Sequence, residues 1–295
     1  MDSLIKIGVL TGKDDLFSYD LIEKINNKGT KFIKAELCKL AGIKEAENSK
    51  YSIIIDRISH LIPFYSTYLK NAIINGTYVI NNPFWINCTD KFLDYKFVLQ
   101  QNIPVPPTVC LPCIKTNVST INWDEIIEYI GFPIVLKSCK SNNYVYKINN
   151  IDKLLEFYNN SNNEIVLQKY INYEYCIRVF VCGKKYINRS RFDPETNSYL
   201  PFPRYIEDKL FIELKEHSIK LSEIFGYDLN LIEFIIKDNI PYFISIDPIP
   251  DLHPYSIGNA HFSWIVDHMT KTIIEILNKK DIEKKQLPDR FYVLN

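Results

Sequence analysis

Two apolar runs, 229–236 and 240–246, flank a polar Asp238-Asn239 step and restrict the fold more than any other stretch of the chain. Each run has the length of a strand, and the Asp/Asn step between them favours a tight reversal, so together they read as a β-hairpin. Side chains alternate across a strand, which puts Ser245 and Asp247 on one face. The fold-back brings Glu233 within about one residue of facing them, in a register that the pattern alone leaves open. Carboxylates facing each other across two strands suit a hard divalent ion, and magnesium takes oxygen ligands while sharing its shell with nucleotide phosphates. Two exposed acids on an ordinary hairpin are the alternative.

Upstream, the first 89 residues alternate strand and helix: strand 5–10, helix 16–28, buried strand 51–58, helix 63–75 opened by Pro63, and strand 77–81. That order is the βαβ logic of a parallel sheet, where functional groups collect at the carboxyl ends of strands. Asp56, Arg57, Ser59 and His60 fall at or past one such end, and Asn81-Asn82 past another. A ligand-facing role and an Asp–Arg pair capping the following loop are both compatible with this placement. Thr89 or Asp90 caps a helix over 90–102, and the prolines of 103–108 then force an extended segment that reads as a domain boundary. Beyond it come helix 122–130, strands 132–138 and 143–147, helix 151–159 and strand 164–170. Strands 175–182 and 185–192 meet at a Gly183-Lys184 turn, and amphipathic helices cover 208–225 and 259–278. The expected division is an N-terminal α/β domain over 1–89, a small lid subdomain with its leading helix over 90–172, and a C-terminal subdomain over 173–295.

Lys+Arg and Asp+Glu both number 35, so there is no basic excess to suggest nucleic acid or a membrane surface as partner. Seven cysteines are scattered along the chain, no apolar leader precedes strand 5–10, and no run reaches membrane-spanning length, so a reduced cytoplasmic setting is expected. Cys110-Leu111-Pro112-Cys113 has the spacing of a redox motif but opens no helix, and reads as structural or incidental.

Five short motifs stand in a fixed order: Asp90-Lys91-Phe92 with Leu99 through Pro106, Gly131-Phe132-Pro133-Ile134-Val135-Leu136-Lys137, Val166-Leu167-Gln168-Lys169-Tyr170-Ile171, Ile177-Arg178-Val179-Phe180-Val181, and Gly226 through Pro250. In this order and spacing, over about residues 90–250, they resemble the ATP-grasp superfamily, most closely the RimK-like carboxylate–amine ligases. The resemblance implies an α/β (α+β) ATP-grasp fold behind an N-terminal βαβ pre-ATP-grasp domain. It also implies ATP and magnesium, with manganese as an alternative, and an amide or peptide bond formed through an acylphosphate. Carried over residue by residue, Lys91 and Lys137 meet the nucleotide phosphates. Gln168, Lys169, Tyr170 and Ile171 hold the adenine. Arg178 and Arg189 are the catalytic candidates, and Glu233 and Asp247 hold the metal.

For an anionic substrate the available cations are Arg191 and Arg204, with Arg57 and His60 from the first domain. Arg189 and Arg191, two apart on a strand, face one way. The partners implied are small-molecule or peptide carboxylates and amines, and a homo-oligomer is compatible with the chain. Three departures from the family pattern bear on activity. Its metal-bridging glutamate falls on Ser245, its asparagine on Asp247, and its glycine-rich phosphate loop on Ser138-Cys139-Lys140-Ser141-Asn142-Asn143. A degenerate nucleotide-binding protein without turnover, or a kinase like those acting on inositol phosphates, are the other readings.

Overall fold

The computed structural model describes residues 4–13, 15–28, 31–40, 42–44, 48–86, 90–113, 121–139, 145–201, 208–278 and 286. In chain order the elements are β1 Ile5–Leu10, α1 Leu16–Lys28, β2 Ile33–Leu37, β3 Ile53–Asp56, α2 Pro63–Ile74, β4 Tyr78–Ile80, α3 Pro83–Ile86 and α4 Lys91–Gln100. Next come β5 Thr108–Leu111, α5 Trp123–Ile130, β6 Ile134–Ser138, β7 Val145–Ile148, α6 Ile151–Asn160 and β8 Ile165–Lys169. The last part holds β9 Tyr175–Cys182, β10 Tyr186–Asp193, β11 Ser198–Leu200, α7 Asp208–Ile224, β12 Leu229–Lys237, β13 Ile240–Asp247, α8 Pro254–Ile257 and α9 Asn259–Asn278.

The N-terminal sheet is parallel in the order β2-β1-β3-β4, as the alternation of strands and helices predicts. Strand β2 is an addition to that reading; its Ile-Lys-Ala-Glu-Leu pattern lacks the β-branched density of β3. The core under this sheet joins Ile7, Val9 and Ile55 to Phe17 and Leu21 of α1 and to Ile265 and Met269 of α9. The last described helix thus closes the core of the first sheet, and an ion pair of Lys24 with Asp267 ties α1 to α9.

A four-stranded antiparallel sheet in the order β5-β8-β6-β7 carries α5 and α6 on one face, packed on Ile134, Leu136, Ile148 and Leu167. Alternation leaves Lys137, Val166, Gln168 and Cys110 on the other face. Asn122 and Asn150 cap the two helices by accepting from the N–H groups of Glu125 and Lys153.

The five-stranded sheet runs β11-β10-β9-β12-β13. Ile177, Val179, Ile232 and Phe234 cover one face and receive Leu210, Leu214 and Leu221 of α7. Helix α4 adds Tyr95 and Val98 to this core, with Asp90 as its cap accepting from Leu93 N–H at 2.9 Å; Thr89 lies outside the described residues. The predicted hairpin is β12–β13, turning through Asp238 (φ 51°) and Asn239 (φ 60°). One irregularity matters for everything that follows. Lys237 pairs with Ile240 and Phe234 with Phe243, but Glu233 pairs with Ser245, so Ile244 is an extra, bulged residue.

Candidate active site

Because of that bulge, Ser245 and Asp247 turn to the same face as Glu233. In an unbroken ladder Glu233 would face Ile244, and Ser245 and Asp247 would point toward α7. The resulting polar row crosses four strands: Ser190 of β10 opposite Arg178 of β9, Arg178 opposite Glu233, and Glu233 opposite Ser245. Asp247 stands two residues further along, opposite Leu231.

Arg178 Nε donates to Glu233 Oε2 at 2.8 Å, its guanidinium lies 3.2 Å from the Phe192 ring centre, and Nη1 donates to the Tyr199 hydroxyl at 3.4 Å. Burial opposes the Arg178 charge, but Glu233 outweighs it and raises the group above its ordinary range. Asp247 is raised by burial, against the Ile249 N–H at 2.9 Å and the charges of Arg57, His60 and Arg178.

The small sheet supplies the opposite wall. Lys137 Nζ donates to the Tyr95 hydroxyl at 3.0 Å and to Gln168 Oε1 at 2.8 Å, and burial pulls the amine down to about 8 against the attraction of Glu233. Lys91 Nζ donates to the Ser138 carbonyl at 3.1 Å and is lowered by burial and by Lys137. The two walls enclose a cavity of about 660 Å³ bordered by Lys91, Lys137, Arg178, Glu233, Ser245 and Asp247. Tyr95 joins the walls, since its hydroxyl also donates to the carbonyl of the bulged Ile244 at 3.0 Å. The sequence reading passed over Tyr95. Its position four residues after Lys91 on one helix face was the available signal.

The other predicted residues lie elsewhere. Gln168 is buried behind Lys137 and serves it, donating through Nε2 to the Thr108 hydroxyl at 2.9 Å, so its side chain positions the lysine and does not face the cavity. Lys169, Tyr170 and Ile171 do not border the cavity, and the N–H groups of Lys169 and Tyr170 are bonded to the carbonyls of Pro107 and Pro133. Arg189 and Arg191 are corrected outright. They pair with Val179 and Ile177 and so project from the α7 face, where Arg189 stacks 3.5 Å from the Phe211 ring centre. Arg204 and residues 140–144 of the expected phosphate loop lie outside the described residues.

Arg57 and His60 sit at the end of β3, near enough to Asp247 to act on its charge. Arg57 Nη2 donates to the Pro250 carbonyl at 2.8 Å and Nε lies 3.5 Å from Asp15, while Nη1 is buried without a hydrogen-bond partner among the described residues. His60 is lowered by burial. Asp56 is occupied by its own loop, accepting from the N–H groups of Ile58 and Ser59 and from the Ser59 hydroxyl.

The donor set fits a polyanion with a divalent ion. Among the described residues Lys137 has only neutral oxygen partners, so its buried charge lacks a directly bonded counter-charge there, which a phosphate oxygen would supply. Among the described residues no group of three or more His, Cys, Asp or Glu side chains could hold a metal by itself. Glu233 and Asp247 suit magnesium, which usually takes one or two carboxylates and completes its shell with water and phosphate oxygens.

The RimK-like ATP-grasp domain family matches residues 88–255. A D-alanine–D-alanine ligase of Bacillus anthracis is 24% identical over 212 residues, spanning 64% of this chain and 68% of the ligase. In fold, the structure is similar to D-alanine–D-alanine ligase from Bacillus anthracis complexed with ATP (TM-score 0.64, 17% identity, 92% of this chain and 96% of that one). It is also similar to a RimK domain ATP-grasp protein from Sphaerobacter thermophilus (TM-score 0.66, 18% identity, 91% and 99%).

Proposed function

The chain belongs to the RimK-like ATP-grasp family, and from that premise we propose that it is an ATP-dependent carboxylate–amine ligase that makes an amide or peptide bond by way of an acylphosphate. The observation that carries the reading is the opposition of charge across one cavity: Lys91 and Lys137 on one wall, Glu233 and Asp247 on the other, with Arg178 between the acids and the aromatic rings.

Lys91 and Lys137 bind and orient the nucleotide phosphates as point charges in a partly dry setting, where each charge–charge contact is stronger than in water. Arg178, fixed by Glu233 and Phe192, aims its remaining N–H groups at the phosphoryl group in transfer, where charge develops. Magnesium, when bound by Glu233 and Asp247, neutralises charge on the phosphate oxygens; manganese is the alternative ion. Arg57, whose Nη1 has no hydrogen-bond partner among the described residues, and His60 receive the anionic end of the substrate acid beside Asp247. Lys169, Tyr170 and Ile171 hold the adenine once the 90–172 lid closes over it, the body of the enzyme being formed by 1–89 and 173–295. The acid and amine are small molecules or peptides. The six described cysteines form no disulfide, and no described helix is long and apolar enough to cross a membrane, both in keeping with a cytoplasmic enzyme.

Ser245 favours a second reading. It occupies the position directly opposite Glu233, so the metal has a carboxylate on only one side of that pair, as in a nucleotide-binding protein that has lost turnover. Titration calorimetry of magnesium-ATP with the wild type and Lys137→Ala, followed by mass spectrometry of products from ATP and a metabolite extract, separates the readings. Loss of the charged contacts, roughly 1.5–3 kcal/mol, should weaken ATP at least about tenfold, and new amides should accompany ADP. Affinity retained within about twofold would remove Lys137 from the phosphate site. Tight binding without any acid- and amine-dependent ADP would favour the binding protein.

A further inference from the structure

Two thiols meet on the lysine wall. Cys110 Sγ lies 3.5 Å from Cys139 Sγ. Cys110 is opposite Val166, and Val166 is opposite Lys137, so Cys110 and Lys137 share a face of the small sheet. Cys139, two residues past Lys137, lies toward the same side and borders the cavity. Cys113, whose spacing from Cys110 reads as structural or incidental, is buried, and the sulfur beside Cys110 comes from the end of another strand. We propose that Cys110 and Cys139 form a reversible disulfide modification site, and that closing this bond shuts ATP out of the cavity.

The geometry makes closure and nucleotide binding compete. A disulfide needs sulfurs about 2.05 Å apart and Cα atoms usually within about 7 Å. Strands β5 and β6 lie two ladder spacings apart, about 9–10 Å, so the backbone must shift. Cys110 is held within β5 by its pairing to β8, whereas Cys139 lies just past the end of β6 with a backbone bond to the Glu164 carbonyl at 3.2 Å. Cys139 is therefore the partner that moves, and it takes with it Ser138, whose carbonyl positions Lys91 at 3.1 Å. A bond formed under such strain is readily reduced. The chemistry is also asymmetric. The contact with Cys139 lowers the Cys110 thiol, and the same contact together with burial raises Cys139, which makes Cys110 the attacking thiolate.

With a small-molecule disulfide as oxidant, the Cys110 thiolate attacks one of its sulfurs. The old S–S bond breaks, a mixed disulfide forms on Cys110, and the leaving thiolate takes up a proton. Cys139 then gives up its proton, attacks the Cys110 sulfur and releases a second thiol. Two cysteines are oxidised and one disulfide is reduced to two thiols.

The proposal rests on the ATP reading, and its test uses the full chain treated with oxidised glutathione. Peptide mapping should show Cys110 joined to Cys139. Calorimetry should show ATP affinity reduced at least tenfold and restored by dithiothreitol, and magnesium-ATP should shift the thiol–disulfide equilibrium in a glutathione buffer at least tenfold toward the reduced pair by reciprocity of coupling. Cys110→Ser should bind ATP as the wild type does and ignore the oxidant. A bond mapped elsewhere, glutathione adducts alone, or unchanged ATP affinity in the mapped, linked protein would overturn the proposal. If the reduced wild type binds no ATP, the nucleotide reading falls, and the peptide map still decides whether this thiol pair closes.

Discussion

The two hairpins of the large sheet each depart by one residue from a simple two-residue reversal, with opposite results. In β12–β13 the extra residue is Ile244, and it brings Ser245 and Asp247 round to the face of Glu233. In β9–β10 it is Lys185. Cys182 pairs with Tyr186, so Gly183, Lys184 and Lys185 make up the connection, and Arg189 and Arg191 turn away from Arg178. A slip of one residue moves every side chain of a strand to the other face. One slip therefore assembles the acidic wall, and the other removes two arginines from it. Charge on a strand has catalytic meaning only once register is known.

The comparison is broken most directly at the acids themselves. Asp247→Asn tests the acidic wall with the register intact, and should abolish magnesium-dependent turnover while leaving the circular dichroism spectrum unchanged. Deleting Ile244 should let β13 pair without interruption while Ser245 still faces Glu233, so the acidic row keeps its side and only the carbonyl held by Tyr95 is lost. Turnover should fall in that variant but stay measurable. Ser245→Glu puts a carboxylate directly opposite Glu233 and should preserve or raise turnover. A loss in that variant, with ATP binding kept, would mean that repulsion from Glu233 and Asp247 outweighs metal binding and that the site is built for one ion.

The hairpins also mark what could be read from the residues. The β12–β13 reversal was legible because Asp238 and Asn239 accept left-handed geometry between two apolar runs. The helices were legible from their caps and apolar faces, and Lys137 from its place in an apolar strand. Register was not. A two-residue Gly183-Lys184 turn would have set Cys182 opposite Lys185 and Arg189 opposite Arg178, the arrangement in which both arginines serve catalysis. Gly183 (φ 63°) and Lys184 (φ 55°) do form the reversal, but Lys185 is carried over as a bulge. Contacts between distant segments were equally hidden. Nothing local in Cys110 or Cys139 announces the other, and the seating of α9 on α1 depends on how segments far apart in the chain fold around one core.

The cavity side also carries a buried amine whose titration is coupled to stability. Lys137 falls from 10.5 to about 8 on burial. Between those values the unfolded chain holds more protons than the folded one, so this group makes stability rise with pH across about 8 to 10.5, by up to about 3 kcal/mol. Below about pH 8 its penalty is fully present and constant. Lys137→Met should flatten that rise in urea melts taken from pH 7.5 to 10. In the wild type, phosphate pulls the proton back, so ATP binding near pH 9 should take up protons, read as a dependence of binding heat on buffer ionisation enthalpy. Binding heat independent of buffer would place the phosphates away from Lys137.

The smallest effect is expected at Arg189, and it is the sharpest check on the register. Arg189 lies on the α7 face, its guanidinium 3.5 Å from the Phe211 ring centre, and burial lowers its pKa from the usual arginine value. A cation over an aromatic ring in a partly exposed setting contributes about 0.5–1 kcal/mol. Arg189→Ala should therefore lower Tm by only a few degrees, since about 1 kcal/mol corresponds to roughly 2–4 °C in a chain of moderate size. Turnover and ATP affinity should stay within about twofold of wild type, because no atom of Arg189 borders the cavity. Arg178→Ala, made in parallel, removes the partner of Glu233 and should lower turnover at least about a hundredfold, the scale on which preorganised donors act. Equal losses in the two variants would put both arginines on one face and refute the three-residue connection between β9 and β10.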